Sequence, residues 1–166
     1  MTLSTYAEIV REVLPEDLEY LAENLRKADI LELEATYGRD QSILGALDFS
    51  VALSDYSRVC VTKDGIPAMV CGVGRVQDDS AMIWAVGTNG VRENPRLFLE
   101  HSPTLLKEWF KTLGVSLFWN YTHAANKVHH RWLKSLGTLL LLEETRGPLG
   151  EPFIPFIIKR SSLIPE

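Results

Sequence analysis

Apolar and polar positions recur along this chain with two different periods, and the change from one to the other organises it. Residues 5 to 13, TYAEIVREV, alternate weakly and predict a strand. Pro15 then suits a first helical position, and Glu16 and Asp17 fall where a helix dipole favours acids. Leu18, Leu21, Ala22 and Leu25 follow at helical spacing. ADILELEATYG, 28 to 38, predicts a short helical turn stopped by Gly38, and DQSILGALDFSVALSD, 40 to 55, a second helix. From residue 57 the period shortens. SRVCVTKDGIPAMVCGVGRVQDD holds two β-rich runs joined by Asp64-Gly65, a pair that tolerates the positive φ of a hairpin turn. After the turn QDDS, AMIWAVGT (81 to 88) predicts a third strand, so the three runs form an antiparallel meander.

NGVRENPRLFLEH, 89 to 101, reads as irregular. Beyond it Ser102 caps a helix that Pro103 starts, Leu106, Trp109, Phe110 and Leu113 line, and Gly114 ends. VSLFWNYT (115 to 122) is a strand, and a helix runs from Asn126 to Leu136. TLLLLEET makes a sixth strand, RGPLGEP a loop and FIPFIIKR a seventh strand. The order is β-α-α-β-β-β-α-β-α-β-β, with no repeat or linker to divide it. It predicts one α+β domain over residues 1–166: a mixed, largely antiparallel seven-stranded sheet flanked by about four helices.

Composition narrows the function classes. A chain of 166 residues suits a single core, and a net charge of -5 disfavours a general nucleic-acid surface. No apolar run is long enough to span a bilayer, and the first residues lack the basic start and apolar run of a secretion signal, so a soluble intracellular protein is expected. Cys60 and Cys71 sit in apolar runs and read as buried thiols. Trp84, Trp109, Trp119 and Trp132 fall on faces that should be buried.

The densest chemistry lies in NYTHAANKVHHRWLKSLG, 120 to 137. Asn126 is placed to cap a helix and Gly137 to end it, with Val128, Trp132, Leu133 and Leu136 as an apolar stripe between them. Lys127, Arg131 and Lys134 form a basic stripe, either a solvated face or a phosphate contact. His123, His129 and His130 cluster in sequence, but 129 and 130 point to different faces and nothing nearby completes a metal set. Capping explains Asn126, and cofactor binding is the alternative.

A strand, Asn126, a helix ending Leu-Lys-Ser-Leu-Gly at 133–137 and a further strand, together with the element order, resemble the GNAT acyltransferase superfamily over most of the chain. The resemblance implies that acetyl-CoA lies where AMIWAVGT and VSLFWNYT splay apart. Backbone groups of Ala85, Val86 and Gly87 would follow its arm and Asn126 would bond it. The pyrophosphate would sit at the start of the next helix, with Arg92 and Arg96 in reach. The chain departs from that pattern at three places. It has no R/Q-x-x-G-x-G/A loop, Leu133 stands where a general-acid Tyr is usual, and Thr138 replaces an aromatic.

More narrowly, LFWNYTHAANKVHHRWLKSLG followed by EETRG resembles the phage GNAT-like family that contains internal virion protein A of short-tailed phages. Trp119, Asn120, Asn126, His130, Trp132, Leu133, Lys134 and Gly137 carry that match. This implies a degenerate GNAT-fold protein of the virion interior or of assembly, partnered by virion core or host proteins. It would reside in the host cytoplasm or the virion. The other reading is an acetyl-CoA-dependent N-acetyltransferase acting on a host protein, with Tyr121, His130 and Glu100 as catalytic candidates and His101 and Asn120 as further polar groups near the site. An open groove between the fourth and fifth strands favours the enzyme. A groove plugged by Trp84, Trp119 or the 89–101 loop favours the scaffold.

Overall fold

The computed structural model describes residues 5–165, and its first element departs from the expected strand. Residues 5 to 13 hold one helical turn, α1 (Tyr6–Ile9), and a two-residue strand, β1 (Val10–Arg11). The Thr5 N–H donates to the Glu8 carboxylate, so a Thr-x-x-Glu cap outcompetes a weak alternation. α2 (Pro15–Asn24) begins at its proline as expected. α3 (Lys27–Tyr37) is a full helix rather than a turn. It turns Asp29 and Glu32 inward, so apolar spacing understates it. α4 (Ile43–Leu53) is the second predicted helix, capped by the Ser42 hydroxyl.

β2 (Tyr56–Val61), β3 (Pro67–Gln77) and β4 (Ser80–Gly87) form the expected antiparallel meander. Residues 89 to 101 are helical instead of irregular: α5 (Asn89–Glu93) leads into α6 (Pro95–Leu113). Pro95 rather than Pro103 begins that helix, and Pro103 lies inside it. Ser102 caps nothing, because its hydroxyl donates to the Phe98 carbonyl. Burial of Leu97 and Phe98 ahead of Leu105, Leu106 and Trp109 outweighs the ~3 kcal/mol that an internal proline costs.

β5 (Leu117–His123) leads to α7 (Lys127–Ser135), then β6 (Leu139–Leu140), β7 (Thr145–Arg146) and β8 (Pro152–Lys159). The sheet order is β1-β2-β3-β4-β5-β8-β6, with β7 also on β8, so the described residues carry eight strands and seven α-helices. The expected sixth strand is cut short at Leu140. Opposite it, Pro155 accepts from the Leu141 N–H but has no N–H to return, and the ladder lapses until Thr145 pairs with Phe153.

Two buried clusters lie on the two faces of the sheet. α6 and α7 cover Ile83, Phe118 and Ile158, with the Phe110 and Phe118 rings stacked at 3.7 Å. On the other face α2 and α4 bring Leu18, Leu21 and Leu47 onto Val59, Val70 and Val86. Cys60 and Cys71 are free and buried, as expected. Hydrogen bonding to Cys60, then burial, pushes the Cys71 thiol far up.

Candidate functional site

β4 and β5 pair in parallel over three positions only, Ser80–Met82 against Leu117–Trp119, and then part. Asn120 Nδ2 holds the fork, donating to the Ile83 carbonyl at 2.7 Å. At the far end of β4 the Gly87 N–H donates to Asp29 Oδ2 at 2.8 Å and the Gly87 carbonyl accepts from the Arg26 N–H at 3.0 Å. Peptide groups of a strand alternate in direction, so Ile83, Ala85 and Gly87 share the edge that faces β5. Ile83 and Gly87 are closed off. Ala85 between them offers its N–H and C=O to the opening, and no group among the described residues takes them. Of the three backbone positions expected along a cofactor, Ala85 alone is thus free. Gly87 is spent on α3, and Val86 pairs with Val70 of β3.

Over this opening stands His129, in the first turn of α7. Asn126 fixes it from below: its Oδ1 accepts the His129 N–H at 3.2 Å, and its Nδ2 donates to Asp29 Oδ1 at 2.9 Å. Asp29 is fully buried and Asn126 is 1% exposed, so neither faces a ligand. The cap expected of Asn126 is present, and both of its side-chain polar atoms are engaged within the protein. Asp29 in turn pairs with the Arg26 guanidinium at 2.8 Å. One buried network therefore ties the end of β4 to the start of α7.

The His129 ring has a second tether. Its Nδ1 lies 3.7 Å from Glu32 Oε2 and 3.4 Å from the Thr122 hydroxyl. Glu32 Oε1 accepts from that hydroxyl at 3.0 Å and from the His123 N–H at 2.5 Å. Burial works to raise the Glu32 carboxyl, but the facing His129 and these two donors hold it below the usual range. The Nε2 of His129 meets no protein partner among the described residues.

Two clefts meet here, one on each face of the sheet, and share Ala85, Val86 and His129. The one beside α5, α6 and α7 encloses about 280 Å³ between Val91, Phe98, Leu99 and Val128, with Arg92 and Arg131 exposed at its rim and Arg26 inside. The one beside α3 and α4 encloses about 410 Å³. The groove is open. Trp84 is drawn aside by its Nε1 bond to the Ser54 hydroxyl at 2.8 Å, Trp119 stacks edge-on with Tyr121 at 6.1 Å, and residues 89–101 wall the groove as helix.

Of the sequence candidates, Tyr121 reaches the α3–α4 cleft, 45% exposed, and Arg92 reaches the other. Arg96 and Glu100 are exposed on α6 and line neither. His101 packs against the Tyr6 ring, 6.0 Å away. His130 turns to the His123 carbonyl at 3.1 Å, and burial holds its pKa low. Leu133 is buried and provides no acid. The sequence places His129 only in a histidine cluster, and its apolar spacing gives no sign of Glu32, Asp29 or Arg26. Asp29 and Glu32 stand three apart on α3, a spacing that places them on one face and was the available signal.

No family model and no curated protein matches the sequence. Solved structures do match the fold. The GNAT-family acetyltransferase of Bacillus anthracis superposes with a TM-score of 0.68 at 10% identity, over 92% of this chain and 94% of that one. AAC(6')-Ib, in complex with ribostamycin and coenzyme A, gives 0.67 at 14% identity over 93% and 94%. The ribosomal-protein-S5-alanine acetyltransferase of Vibrio fischeri gives 0.64 at 12% over 94% of each. Likeness at such identities resides in backbone architecture, and that architecture is the GNAT acetyltransferase fold.

Proposed function

We propose that the chain is an acyl-CoA-dependent N-acyltransferase. The observation that carries this reading is the opening between β4 and β5, with the Ala85 peptide groups at its edge and the unpartnered Nε2 of His129 above it. The degenerate-scaffold reading calls for a filled groove, and this one is open from both faces. On the same fold AAC(6')-Ib forms a complex with ribostamycin and coenzyme A.

The residues present fit such a donor. Val91, Phe98, Leu99 and Val128 suit an apolar arm, Ala85 suits an amide along it, and Arg92 and Arg131 suit phosphates at the rim. The missing glycine loop leaves those two guanidiniums as the main phosphate contacts. When bound, acyl-CoA supplies an acyl group on a good thiol leaving group.

The protein's own part is positioning and proton removal. His129 Nε2 accepts the proton that an amine loses as its nitrogen is acylated. Glu32 orients the ring through Nδ1 and faces the imidazolium that results. Asn120 keeps the fork open by spanning it with a side chain instead of a strand.

Amide hydrogen exchange tests this reading locally. The Ala85 N–H should exchange quickly in the free protein and become protected on addition of acetyl-CoA. Unchanged exchange at saturating acetyl-CoA would contradict it.

A further inference from the structure

The cleft beside α3 and α4 is polar in composition but not in what it offers a ligand. Most of its side-chain donors are turned into its own walls. The Thr36 hydroxyl donates to the Glu32 carbonyl at 2.9 Å, Ser50 to the Ala46 carbonyl at 2.8 Å, and Ser54 to the Ser50 carbonyl at 2.8 Å while accepting from Trp84. Asn120 bonds the Ile83 carbonyl and the Tyr121 N–H. Arg75, the one guanidinium there, donates to the Asp78 and Leu113 carbonyls. Glu32 is the one carboxylate in the lining, and His129, Thr122 and His123 already occupy it.

What remains for a ligand is aromatic and aliphatic surface, from Tyr37, Trp84, Phe153, Phe156 and, at the mouth, Tyr121 and Leu53, with His129 at the inner end. A polyamine or amino sugar entering here would surrender the hydration of several charged groups and find one carboxylate, already engaged, in return. A monoamine on an apolar body has one charged group to desolvate, not several, and buries its ring. We propose that the acceptor is a small primary monoamine with an aromatic body, whose nitrogen reaches His129 while its ring fills this cleft. The assignment rests on the acyltransferase reading. In the reaction the amine nitrogen bonds the acyl carbon, the carbon–sulfur bond of the thioester breaks, the amine proton goes to His129 Nε2, and the thiolate takes a proton from solvent.

The test compares kcat/KM, by thiol release from acetyl-CoA, for 2-phenylethylamine, ethylamine, spermidine, kanamycin and a short peptide with an N-terminal Phe. Phenylethylamine should exceed ethylamine, spermidine and kanamycin by roughly 100-fold, the discrimination expected of a buried ring. Preference for spermidine, kanamycin or the peptide would overturn the proposal. Leu53→Glu, at a position 67% exposed and therefore tolerant, adds a carboxylate at the mouth and should narrow the gap to spermidine. Calorimetry with phenylethylamine alone separates the two levels of the argument. Saturable binding without turnover would sustain the ligand class and defeat acyl transfer. Ala85 protection by acetyl-CoA with neither binding nor turnover of phenylethylamine would defeat the ligand class alone.

Discussion

Asn126 and Asp29 stand 97 residues apart in sequence and meet through a buried 2.9 Å hydrogen bond, the link between the end of β4 and the start of α7. The asparagine performs two tasks at once, capping the His129 N–H and satisfying a carboxylate that has no access to water. Asn126→Ala removes both and should destabilise the protein by about 2–4 kcal/mol in urea unfolding. Asn126→Ser restores a cap without reaching Asp29 and should recover about 1 kcal/mol of that loss.

His129 should matter to turnover far more than to folding. His129→Gln is expected to lower kcat by roughly 10²–10⁴-fold, the usual worth of a positioned base, with acetyl-CoA affinity little changed. Steady-state kinetics alongside a binding titration checks this. Equal losses in both would place His129 in donor binding instead.

Glu32 predicts a pH signature. Its carboxyl is held low in the folded protein, so its contribution to stability is complete above the ordinary unfolded value of about 4.3 and is lost as pH falls through the lower folded value. Glu32→Gln should therefore be less stable than the parent at pH 7, and the gap between them should close on acidification. Urea midpoints at pH 7 and pH 3 measure it.

Pro103 lies inside α6, where it has no N–H to donate to the preceding turn. Pro103→Ala supplies an N–H for the helix and should raise stability by about 1–3 kcal/mol, read as a higher thermal midpoint.

Much of the architecture could be read in advance because apolar periodicity governs it. The meander, α2, α4, the end of α6 at Gly114 and the cap at Asn126 all follow from local pattern. The failures have a common physical origin. α3 hides its importance because its inner face is acidic, and a hydrophobic count sees only a turn. Residues 89–101 hide a helix because Gly90 and Pro95 dominate the local signal, while Leu97 and Phe98 gain their burial from distant strands. β6 is shortened by Pro155, which stands fifteen residues beyond Leu140. At the site, a groove between fourth and fifth strands was expected from the family resemblance, and Tyr121 and Arg92 do line its clefts. Glu100, His101, Arg96 and His130 do not, because each faces a different side of its helix. The Glu32–His129 pair joins α3 to α7 across the sheet, and no local spacing announces such a contact.

The central claim is that the parted strands hold an acyl-CoA. Calorimetric titration with acetyl-CoA tests it most directly, run on the parent and on an Arg92→Ala/Arg131→Ala double variant. The account predicts saturable micromolar binding, weakened about tenfold when both rim cations are removed. No heat at millimolar acetyl-CoA, with the protein demonstrably folded, would contradict it.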